Sequence, residues 1–593
     1  AMVASPVIFT LGPSALETAK KIAGVTGGEI RGLSAGEAGA NLGEAFAQGR
    51  PILGICAAGI LIRLLAPHLN DKTTEPPVIA ISDDGASVVP LLGGHHGANE
   101  LAQEIAATTG GHAAITTAGD VRFGVALDFP PEGYLLANPH DAKPAMAALL
   151  SGGAARLEGD APWLSECGLS FAKDAEVELT VTNKVVVGSD TKLVYHPKNL
   201  VIGVGCARAC PPEEMIALVD EQLAKANLAP ASVGCVASIN VKADEVAVHY
   251  LAEHLGVLAR FFSAAELNKL APRLANPSDV VLQEVGCPGV AEGAALGAVG
   301  DSGRLIVEKT KTAYATCAIA EAPELIDALS VGRARGRLSV VGIGPGNEDW
   351  RSGEAGRLLA EATDWVGYGL YLDIVAALSG GKCQHRFDLG AEEARVRHGL
   401  ELAGEGRDVA LVCSGDAGIY AMASLVFELC DGEEMSECAR RAEIVVAPGI
   451  SAFQAAAARA GAPIGHDFCA ISLSDLLTPW EVIEARVKAA AEGDFVIAFY
   501  NPKSMRRTTQ ITRAMEILSA HRPPETPIIL GTNLGREGEN VRATTIAKFD
   551  ADEVDMLTLV MVGSSTSCAF ETGEGKTWVY TPRGYTKKRE AAQ

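Results

Sequence analysis

Two glycine-rich stretches place polar groups where a ligand can approach the backbone. The first, GIGPGNEDW, ends an apolar run that begins at Leu338. A dinucleotide-binding loop is one interpretation, but its third glycine would fall at Asn347, and Pro345 has no backbone N–H to donate. The second, Ser414-Gly415-Asp416-Ala417-Gly418, also ends an apolar run, and its glycines flank an acid. Both predict ligand-binding loops, although the first fits a phosphate-binding loop poorly.

A third polar group lies in the first quarter of the chain. The segment GGHHGAN brackets His95 and His96 with glycines and leads into a helix whose N-cap we expect at Asn99. Adjacent histidines do not share a face of a helix or strand, and no matching cysteine or carboxylate spacing accompanies them, so a metal site is disfavoured. General base catalysis, or hydrogen bonding to a carboxylate, suits one of them better. Three further acids follow strand-like runs: Asp83, Asp84 and Asp120.

The elements that carry these loops are short apolar runs alternating with Ala-rich helical stretches. Runs such as PVIFTLG, PILGIC, NLVIGVGC, DVALVCSGD and DFVIAFYNP are typical of buried strands. Strands that alternate with helices form parallel sheets, with functional loops at the carboxyl ends of the strands. Together with a length of 593 residues, this pattern predicts a multi-domain α/β protein.

Shifts in composition divide the chain. An α/β unit is followed by a less regular stretch, whose VELTVTNKVVVG segment we interpret as an antiparallel hairpin. A basic, glycine-punctuated linker, LSVGRARGRL, precedes the second half. The expected segments are a first domain at 1–135, a middle domain at 136–197, a further α/β module at 198–310, a linker at 311–337 and a tail at 584–593.

The overall composition excludes several classes of function. A net charge of −23 disfavours binding to nucleic acid or to an acidic membrane surface, but a local basic patch can still hold a polycarboxylate. Thirteen scattered cysteines favour reduced thiols over a disulfide framework, Cys206 and Cys210 included. The sequence has no secretory signal pattern and no apolar run of about 20 residues, so we expect a cytoplasmic protein.

The order of motifs in the second half resembles the tetrapyrrole (precorrin) methyltransferase family. The motifs are VGIGPG, GDAGIYAMA, VAPGISAFQAAAARAGAPIGHDFCAISLSDLLTPW, FVIAFYNPKSMRR and MLTLVMVGSSTS. GDAGIY, SDLLTPW and YNPKSMRR look most like the members that methylate carbon 17 of precorrin-3B and contract the ring. The resemblance implies two α/β lobes, 338–449 and 450–583, with a cleft that takes S-adenosylmethionine and yields S-adenosylhomocysteine. It also implies a homodimer through this half and no protein-bound metal.

The same resemblance assigns residues to the two reactants. The donor would lie along Gly415, Asp416, Ala417, Gly418, Ile419, Ser451, Ala452, Tyr500 and Asn501. The tetrapyrrole would face the loop that contains Gly342, Gly344, Pro345 and Gly346. Four arginines could pair with substrate carboxylates or could belong to solvated helix faces: Arg395, Arg397, Arg506 and Arg507. The base for ring contraction could be Asp416, unless that residue stabilises its own turn, or else His385 or His398.

The first half resembles the cobalt-precorrin-5A hydrolase family over residues 5–310. The segments that carry the resemblance include GGHHGANELAQEIAATTGGHAAITTAGD, NLVIGVGCARACPPEEM, CVASINVKADEVAV and VGCPGVAEGAALGAVG. Members open a lactone and release a two-carbon fragment, which needs a base and donors for the developing oxyanion. By resemblance these groups lie among Asp83, His95, His96, Asn99, Asp120, Lys242 and Glu245.

Two functions are open for the whole chain. In the first it is a bifunctional corrin-biosynthesis enzyme, whose fusion raises the effective concentration of a labile intermediate at the next site. In the second the first half is a non-catalytic module that holds an unstable tetrapyrrole. The methylase could also act on another carbon, because its family shares the donor site and differs in the substrate cleft.

Overall fold

The computed structural model describes residues 5–32, 38–70, 75–94, 97–116, 123–432, 434–504 and 507–585. The chain divides into two compact units, Ala1–Gly332 and Arg333–Gln593, here called unit 1 and unit 2. Both consist of alternating strands and helices, in agreement with the predicted α/β class. Within the described ranges, no helix has the length and apolar character that a membrane span requires.

The first sheet of unit 1 has three fully buried strands at its centre. Its described strands are β1 (Val7–Thr10), β2 (Glu29–Gly32), β3 (Ile52–Ile55), β4 (Val78–Ile81), β5 (Ser87–Leu92) and β6 (His112–Ala113). They follow the order β2-β1-β3-β4-β5-β6, and β1, β3 and β4 run parallel. The helices of this region are Leu16–Thr26, Ala38–Ala47, Ala58–Leu65 and Ala98–Thr109. Every residue of β1, β3 and β4 is buried, as in parallel sheets with helices on both faces.

The second sheet corrects the predicted antiparallel hairpin. Its described strands are β7 (Tyr134–Leu136), β8 (Ala155–Glu158), β9 (Val177–Val181) and β10 (Lys192–Pro197), and its helices are Ala142–Leu150 and Pro162–Ser165. The VELTVTNKVVVG segment contributes one strand, β9, which is parallel to both of its neighbours, β8 and β10. The residues after β9 do not fold back on it, because Val185 N–H donates to Asn227 O at 3.1 Å instead.

The third sheet extends past residue 310, where we expected the linker to begin. Its described strands are β11 (Leu200–Cys206), β12 (Val233–Ile239), β13 (Leu258–Phe262), β14 (Arg304–Lys311) and β15 (Ala315–Glu321). Strand β15 pairs along the whole of β11, because its apolar residues complete the core beside that strand. The helices are Pro212–Lys225, Val246–Leu255, Ala264–Asn268, Asp279–Val285 and Val290–Val299.

Unit 2 contains a parallel sheet followed by a mixed one. The described strands of the first are β16 (Arg337–Gly342), β17 (Asp364–Tyr368), β18 (Cys383–Phe387), β19 (Asp408–Cys413) and β20 (Glu443–Ala447), in the order β18-β17-β19-β16-β20. Its helices are Gly353–Glu361, Gly369–Ile374, Glu392–Gly404, Ala423–Asp431 and Glu437–Arg440. All of these strands are parallel, so their carboxyl ends share one edge.

The mixed sheet of unit 2 lies in the last third of the chain. The remaining described strands are β21 (Gly461–Ala462), β22 (Phe468–Ser472), β23 (Val496–Tyr500), β24 (Pro527–Thr532), β25 (Asn540–Thr545), β26 (Thr558–Val562), β27 (Cys568–Glu571) and β28 (Thr577–Tyr580). Strands β22 to β26 form one sheet in the order β22-β23-β26-β24-β25, and β21, β28 and β27 form a small separate one. The helices are Ala452–Ala460, Trp480–Glu492 and Gln510–Ser519.

Candidate active site

One cleft in unit 2 brings together most residues that the sequence assigns to the methyl donor. Seven of the nine line it: Gly415, Asp416, Ile419, Ser451, Ala452, Tyr500 and Asn501. Ala417 and Gly418 belong to the same loop, where Ala417 is fully buried and is not part of the lining. The empty volume of the cleft, its open mouth included, is about 970 Å³.

Four glycines at this cleft allow the strand ends of the first lobe to pack backbone against backbone. A Cβ atom on Gly342 would lie 2.8 Å from Gly415 O and 3.0 Å from Gly449 N. Gly344 and Gly415 also exchange two backbone hydrogen bonds, of 3.1 and 2.8 Å, and both have a left-handed backbone that favours glycine. Since the amide of Gly344 is already used, the glycine loop shapes the cleft instead of cradling a phosphate.

The carboxylate of Asp416 holds two loops together. Its Oδ1 accepts a hydrogen bond from Gly418 N–H at 2.8 Å, and its Oδ2 accepts one from Gly449 N–H at 3.0 Å. Both oxygens therefore have backbone donors, which is the arrangement of a turn-stabilising side chain. Asp416 also lines the cleft.

The second lobe contributes a hydroxyl pair to the opposite wall. Tyr500 lies at the end of β23, and its hydroxyl is hydrogen-bonded to Ser451 Oγ and accepts from Phe453 N–H at 3.2 Å. Burial raises the pKa of the Tyr500 hydroxyl, so it stays protonated at neutral pH. The pair joins the start of helix Ala452–Ala460 to β23 and fixes the wall that they share.

Three residues of the cleft have strained backbone. Tyr420, Asn501 and Asn533 line it, and each has a φ of +50°, a conformation that non-glycine residues rarely adopt. Two of these are held by side-chain bonds, since Tyr420 Oη donates to Ala470 O at 2.8 Å and Asn501 Nδ2 donates to Ser472 Oγ at 3.1 Å. Such strain concentrates at functional sites, where the surrounding structure maintains it.

Arg536 is a cleft residue that sequence reasoning did not find. Its Nε donates to Pro345 O at 2.8 Å and its Nη2 donates to Ser414 Oγ at 2.9 Å, so it joins the loop after β24 to the first lobe. Gly346 makes room for it, because a Cβ atom there would lie 2.5 Å from Arg536 Cγ. A lone arginine in a polar loop, GREGEN, gives no periodic or motif signal, which is why it was missed.

The predicted substrate-binding residues fall into different environments. Pro345 lines the cleft, whereas Arg507 is buried and supports a neighbouring loop by donating to Asn501 O at 2.9 Å and to Ser474 Oγ at 3.3 Å. Arg397 forms ion pairs with Glu393 at 2.9 Å and Glu434 at 3.0 Å, as expected of a solvated helix face. Arg506 lies outside the described residues.

The two candidate histidines lie away from the cleft. His385 Nε2 is 3.0 Å from Asp364 Oδ1, and His398 Nε2 is 2.9 Å from His385 Nδ1. Asp364 begins β17, so this chain of groups reaches the amino edge of a sheet whose carboxyl edge carries the cleft. Ligand atoms of Asp364, Cys383 and His385 all lie within 4.8 Å of one another and could hold a metal ion, so the absence of a metal stays a prediction.

The cleft offers the groups that a nucleoside with an amino-acid arm requires. Its polar lining combines backbone at Gly415 and Asp416 with the hydroxyl of Tyr500. Its apolar lining comes mainly from Leu534, Met556, Leu557 and Leu559. A cofactor pocket combines apolar side chains with fixed polar groups, and this cleft has both, so the residues present fit S-adenosylmethionine.

In unit 1, Asp83 lies at the carboxyl edge of the first sheet. Its Oδ2 accepts a hydrogen bond from Ser14 Oγ at 2.9 Å, and its backbone oxygen accepts one from Thr18 Oγ1 at 2.6 Å. Burial and the nearby Asp83 raise the pKa of the Cys56 thiol, just beyond β3, to about 11. Three other residues predicted for this site, His95, His96 and Asp120, lie outside the described residues.

Lys242 and Glu245 lie at the carboxyl edge of the third sheet. Glu245 is buried, and its carboxylate is 2.9 Å from Arg208 Nη1 and 3.5 Å from Lys242 Nζ, while Ala209 N–H donates to it at 3.2 Å. This carboxylate is therefore held by two cationic side chains and a backbone N–H. Asn99 is also buried, but it lies inside helix Ala98–Thr109, whose N-cap is Gly97, so the predicted cap at Asn99 is wrong. Among the described residues, no hydrogen bond or ion pair joins the Asp83 group to the Glu245 group.

Comparison with known families yields three matches along the chain. The family of Tetrapyrrole (Corrin/Porphyrin) Methylases matches residues 337–550. The families Cobalamin synthesis G N-terminal and Cobalamin synthesis G C-terminus match residues 40–120 and 200–320. The matches therefore cover parts of both units.

Individual relatives match the methylase region at high identity. A probable cobalt-factor III C(17)-methyltransferase of Salmonella typhimurium is 44% identical over 249 residues, which are 42% of this chain and 99% of that protein. A precorrin-3B C(17)-methyltransferase of Sinorhizobium sp is 41% identical over 42% of this chain and 97% of that protein. The crystal structure of the methyltransferase CobJ is 43% identical, covers 42% of this chain and all of its own, and gives a TM-score of 0.39.

Proposed function

Because the region after residue 337 belongs to the tetrapyrrole (corrin/porphyrin) methylase family, we propose that this protein methylates carbon 17 of a precorrin and contracts its ring. The substrate is precorrin-3B or cobalt-factor III, the compounds in the names of its relatives. The observation that carries the proposal is the single cleft lined by seven of the nine predicted donor residues.

The chain's own residues position the reactants. S-adenosylmethionine, when bound, supplies a methyl group on a positively charged sulfur, which needs no further activation by the protein. The glycine packing at Gly342, Gly415 and Gly449 fixes the loop along which the donor lies, and the Ser451–Tyr500 pair fixes the facing wall. Their role is alignment and exclusion of water. We assign Asp416 to holding this loop, because both of its oxygens accept backbone hydrogen bonds.

Turnover of the two substrates tests this proposal. Full-length protein is incubated with S-adenosylmethionine and either precorrin-3B or cobalt-factor III, and the products are analysed by mass spectrometry. We expect one added methyl group with only one of the two, which would also decide whether the substrate carries cobalt. If neither is methylated while S-adenosylhomocysteine still binds, the methylase acts on another tetrapyrrole and the carbon-17 assignment fails.

For unit 1 we propose opening of the lactone and release of the extruded two-carbon fragment. The matches to both Cobalamin synthesis G families support a role in the same pathway. Asp83 is the candidate base, since it lies at a carboxyl strand edge with only a hydroxyl on one of its oxygens. Binding of the contracted product without release of the fragment would instead identify unit 1 as a non-catalytic carrier.

A further inference from the structure

Among the residues that the structure describes, the buried guanidinium of Arg395 has no carboxylate partner. It is 3% exposed, on helix Glu392–Gly404. Its Nη2 donates to Asp388 O at 3.0 Å, its Nη1 is 4.0 Å from Met422 Sδ, and its Nε is buried with no acceptor. Of five N–H donors, only one has a strong acceptor, although a buried charge is costly unless it is paired.

Other buried arginines of this chain are far better satisfied. Arg522 donates to the carbonyls of Ala491 at 2.8 Å and Phe495 at 3.1 Å, and it pairs with Asp494 at 3.0 Å. Arg260 donates to three carbonyls in the segment Leu329–Gly332. The fold thus supplies several oxygen acceptors where an arginine has a structural role, whereas it supplies Arg395 with one.

Two partly exposed groups of the cleft lining are Tyr371 and Arg536. Burial raises the pKa of the Tyr371 hydroxyl, and the positive charges of Arg536 and Arg395 oppose that rise. Among the described residues, neither the Tyr371 hydroxyl nor Arg536 Nη1 has a hydrogen-bond partner, and no carboxylate pairs with Arg536. This wall therefore presents unused donors and unbalanced positive charge.

We propose that Arg536 and Tyr371, backed by the charge of Arg395, form a subsite that binds a carboxylate of the tetrapyrrole. The inference rests on the proposed function, and it identifies residues that no family match assigns. A guanidinium and a hydroxyl can hold the two oxygens of one carboxylate. A chain with a net charge of −23 repels polyanions, so such a ligand needs a local positive site. Met422, which covers Arg395 Nη1, is unbranched and can make way for a ligand atom.

Both reactants carry a carboxylate, on the arms of the tetrapyrrole and at the amino-acid end of the donor. The bond from Arg536 to Pro345 O favours the tetrapyrrole, because Pro345 belongs to the glycine loop that we assign to that substrate. The Kd of S-adenosylhomocysteine reports on the donor site alone. The Kd of precorrin-3B or cobalt-factor III, measured by quenching of tryptophan fluorescence with S-adenosylhomocysteine present, reports on the tetrapyrrole site.

The full chain is compared with the variants R536Q, R536K, Y371F and R395M. R536Q should weaken tetrapyrrole binding about 10- to 100-fold, as expected for loss of a charge-assisted pair, and leave the Kd of S-adenosylhomocysteine within about twofold. R536K should recover part of this loss. Y371F and R395M should each weaken tetrapyrrole binding about three- to tenfold. R395M should not lower the Tm, because the substitution removes an unpaired buried charge.

R397Q is the matched control, since Arg397 lies on the same helix as Arg395 and forms surface ion pairs. It should bind both reactants normally. Unchanged tetrapyrrole binding by R536Q and Y371F would overturn the subsite, and so would an R395M variant that loses stability without losing affinity. Weakened S-adenosylhomocysteine binding alone would assign the carboxylate to the donor and overturn the tetrapyrrole assignment. Wild-type protein that bound neither tetrapyrrole would instead remove the proposed function itself.

Discussion

The cleft of unit 2 and the Asp83 edge of unit 1 lie at equivalent positions on their own sheets, but they differ in the chemical groups that they present. Both lie where parallel strands end. The cleft is shaped by backbone, with close-packed glycines and left-handed residues, and its acid Asp416 is used to hold loops. The Asp83 edge presents side chains instead, namely a carboxylate, a hydroxyl and a thiol.

This difference follows the chemistry that we propose for each region. Transfer of an activated methyl group needs alignment more than proton removal, so rigid backbone is sufficient. Lactone hydrolysis needs a base to activate water, so a side chain with a free lone pair is required. The comparison therefore predicts that a backbone change has the largest effect on donor binding and methyl transfer in unit 2, whereas the change of one ionisable group is enough to disable unit 1.

The largest effect is expected from G449A. A Cβ atom on Gly449 would lie 2.8 Å from Gly342 O, so the two loops must separate. A displacement of about 1 Å can cost about 100-fold, and we expect at least that loss in S-adenosylhomocysteine affinity and methyl transfer. Isothermal titration calorimetry measures the affinity. G356A is the control, because a Cβ atom there meets nothing within 4 Å; normal affinity of G449A would contradict the backbone account.

Unit 1 should respond to loss of one carboxylate. D83N should slow release of the two-carbon fragment about 100-fold, the scale of general base catalysis, and leave methyl transfer unchanged. H95A/H96A should act in the same direction. Quenched-flow sampling with mass spectrometry follows both steps in one reaction. D301N, which changes a fully exposed acid of unit 1, is the control. Equal release by D83N and wild type would remove Asp83 as the base.

A smaller effect is expected from Y500F. The hydroxyl bridges Ser451 Oγ and Phe453 N–H, and one hydrogen bond contributes about 1 kcal/mol net, so S-adenosylhomocysteine affinity should fall about five- to tenfold. Isothermal titration calorimetry measures this affinity. Y250F in unit 1, at a half-exposed tyrosine, should have no effect. A loss as large as that of G449A would mean that the hydroxyl contacts the reacting groups directly.

Thiol reactivity gives the smallest contrast between the units. Cys383 and Cys568 of unit 2 are exposed, whereas burial raises the pKa of Cys56 to about 11 and that of Cys206 to about 12. Only the thiolate reacts, and it forms as the pH rises through the pKa. The thiols of Cys56 and Cys206 therefore stay protonated at pH 8. Brief iodoacetamide treatment with peptide mass spectrometry should label Cys383 and Cys568 first. Early labelling of Cys56 would place that thiol in a more open site.

Sequence reasoning predicted the fold class better than the side-chain environments. Apolar runs and glycines mark strand ends, and the family resemblance places Gly415 and Ser451 in one cleft, which both residues line. Pairing partners are not encoded locally, which is why β9 was mistaken for part of a hairpin and β15 for a linker. The hydrogen bond of Arg536 to Ser414 and that of Gly449 to Asp416 each join residues more than 30 positions apart in sequence.

The position of a transferred label tests the central claim most directly. Full-length protein is supplied with precorrin-3B, or with cobalt-factor III if that is the compound it accepts, and with S-adenosylmethionine carrying a carbon-13 methyl group. Carbon NMR of the product should place the label on carbon 17 of a contracted ring, and G449A should give none. Label on another carbon, or on a ring that has not contracted, would contradict the account.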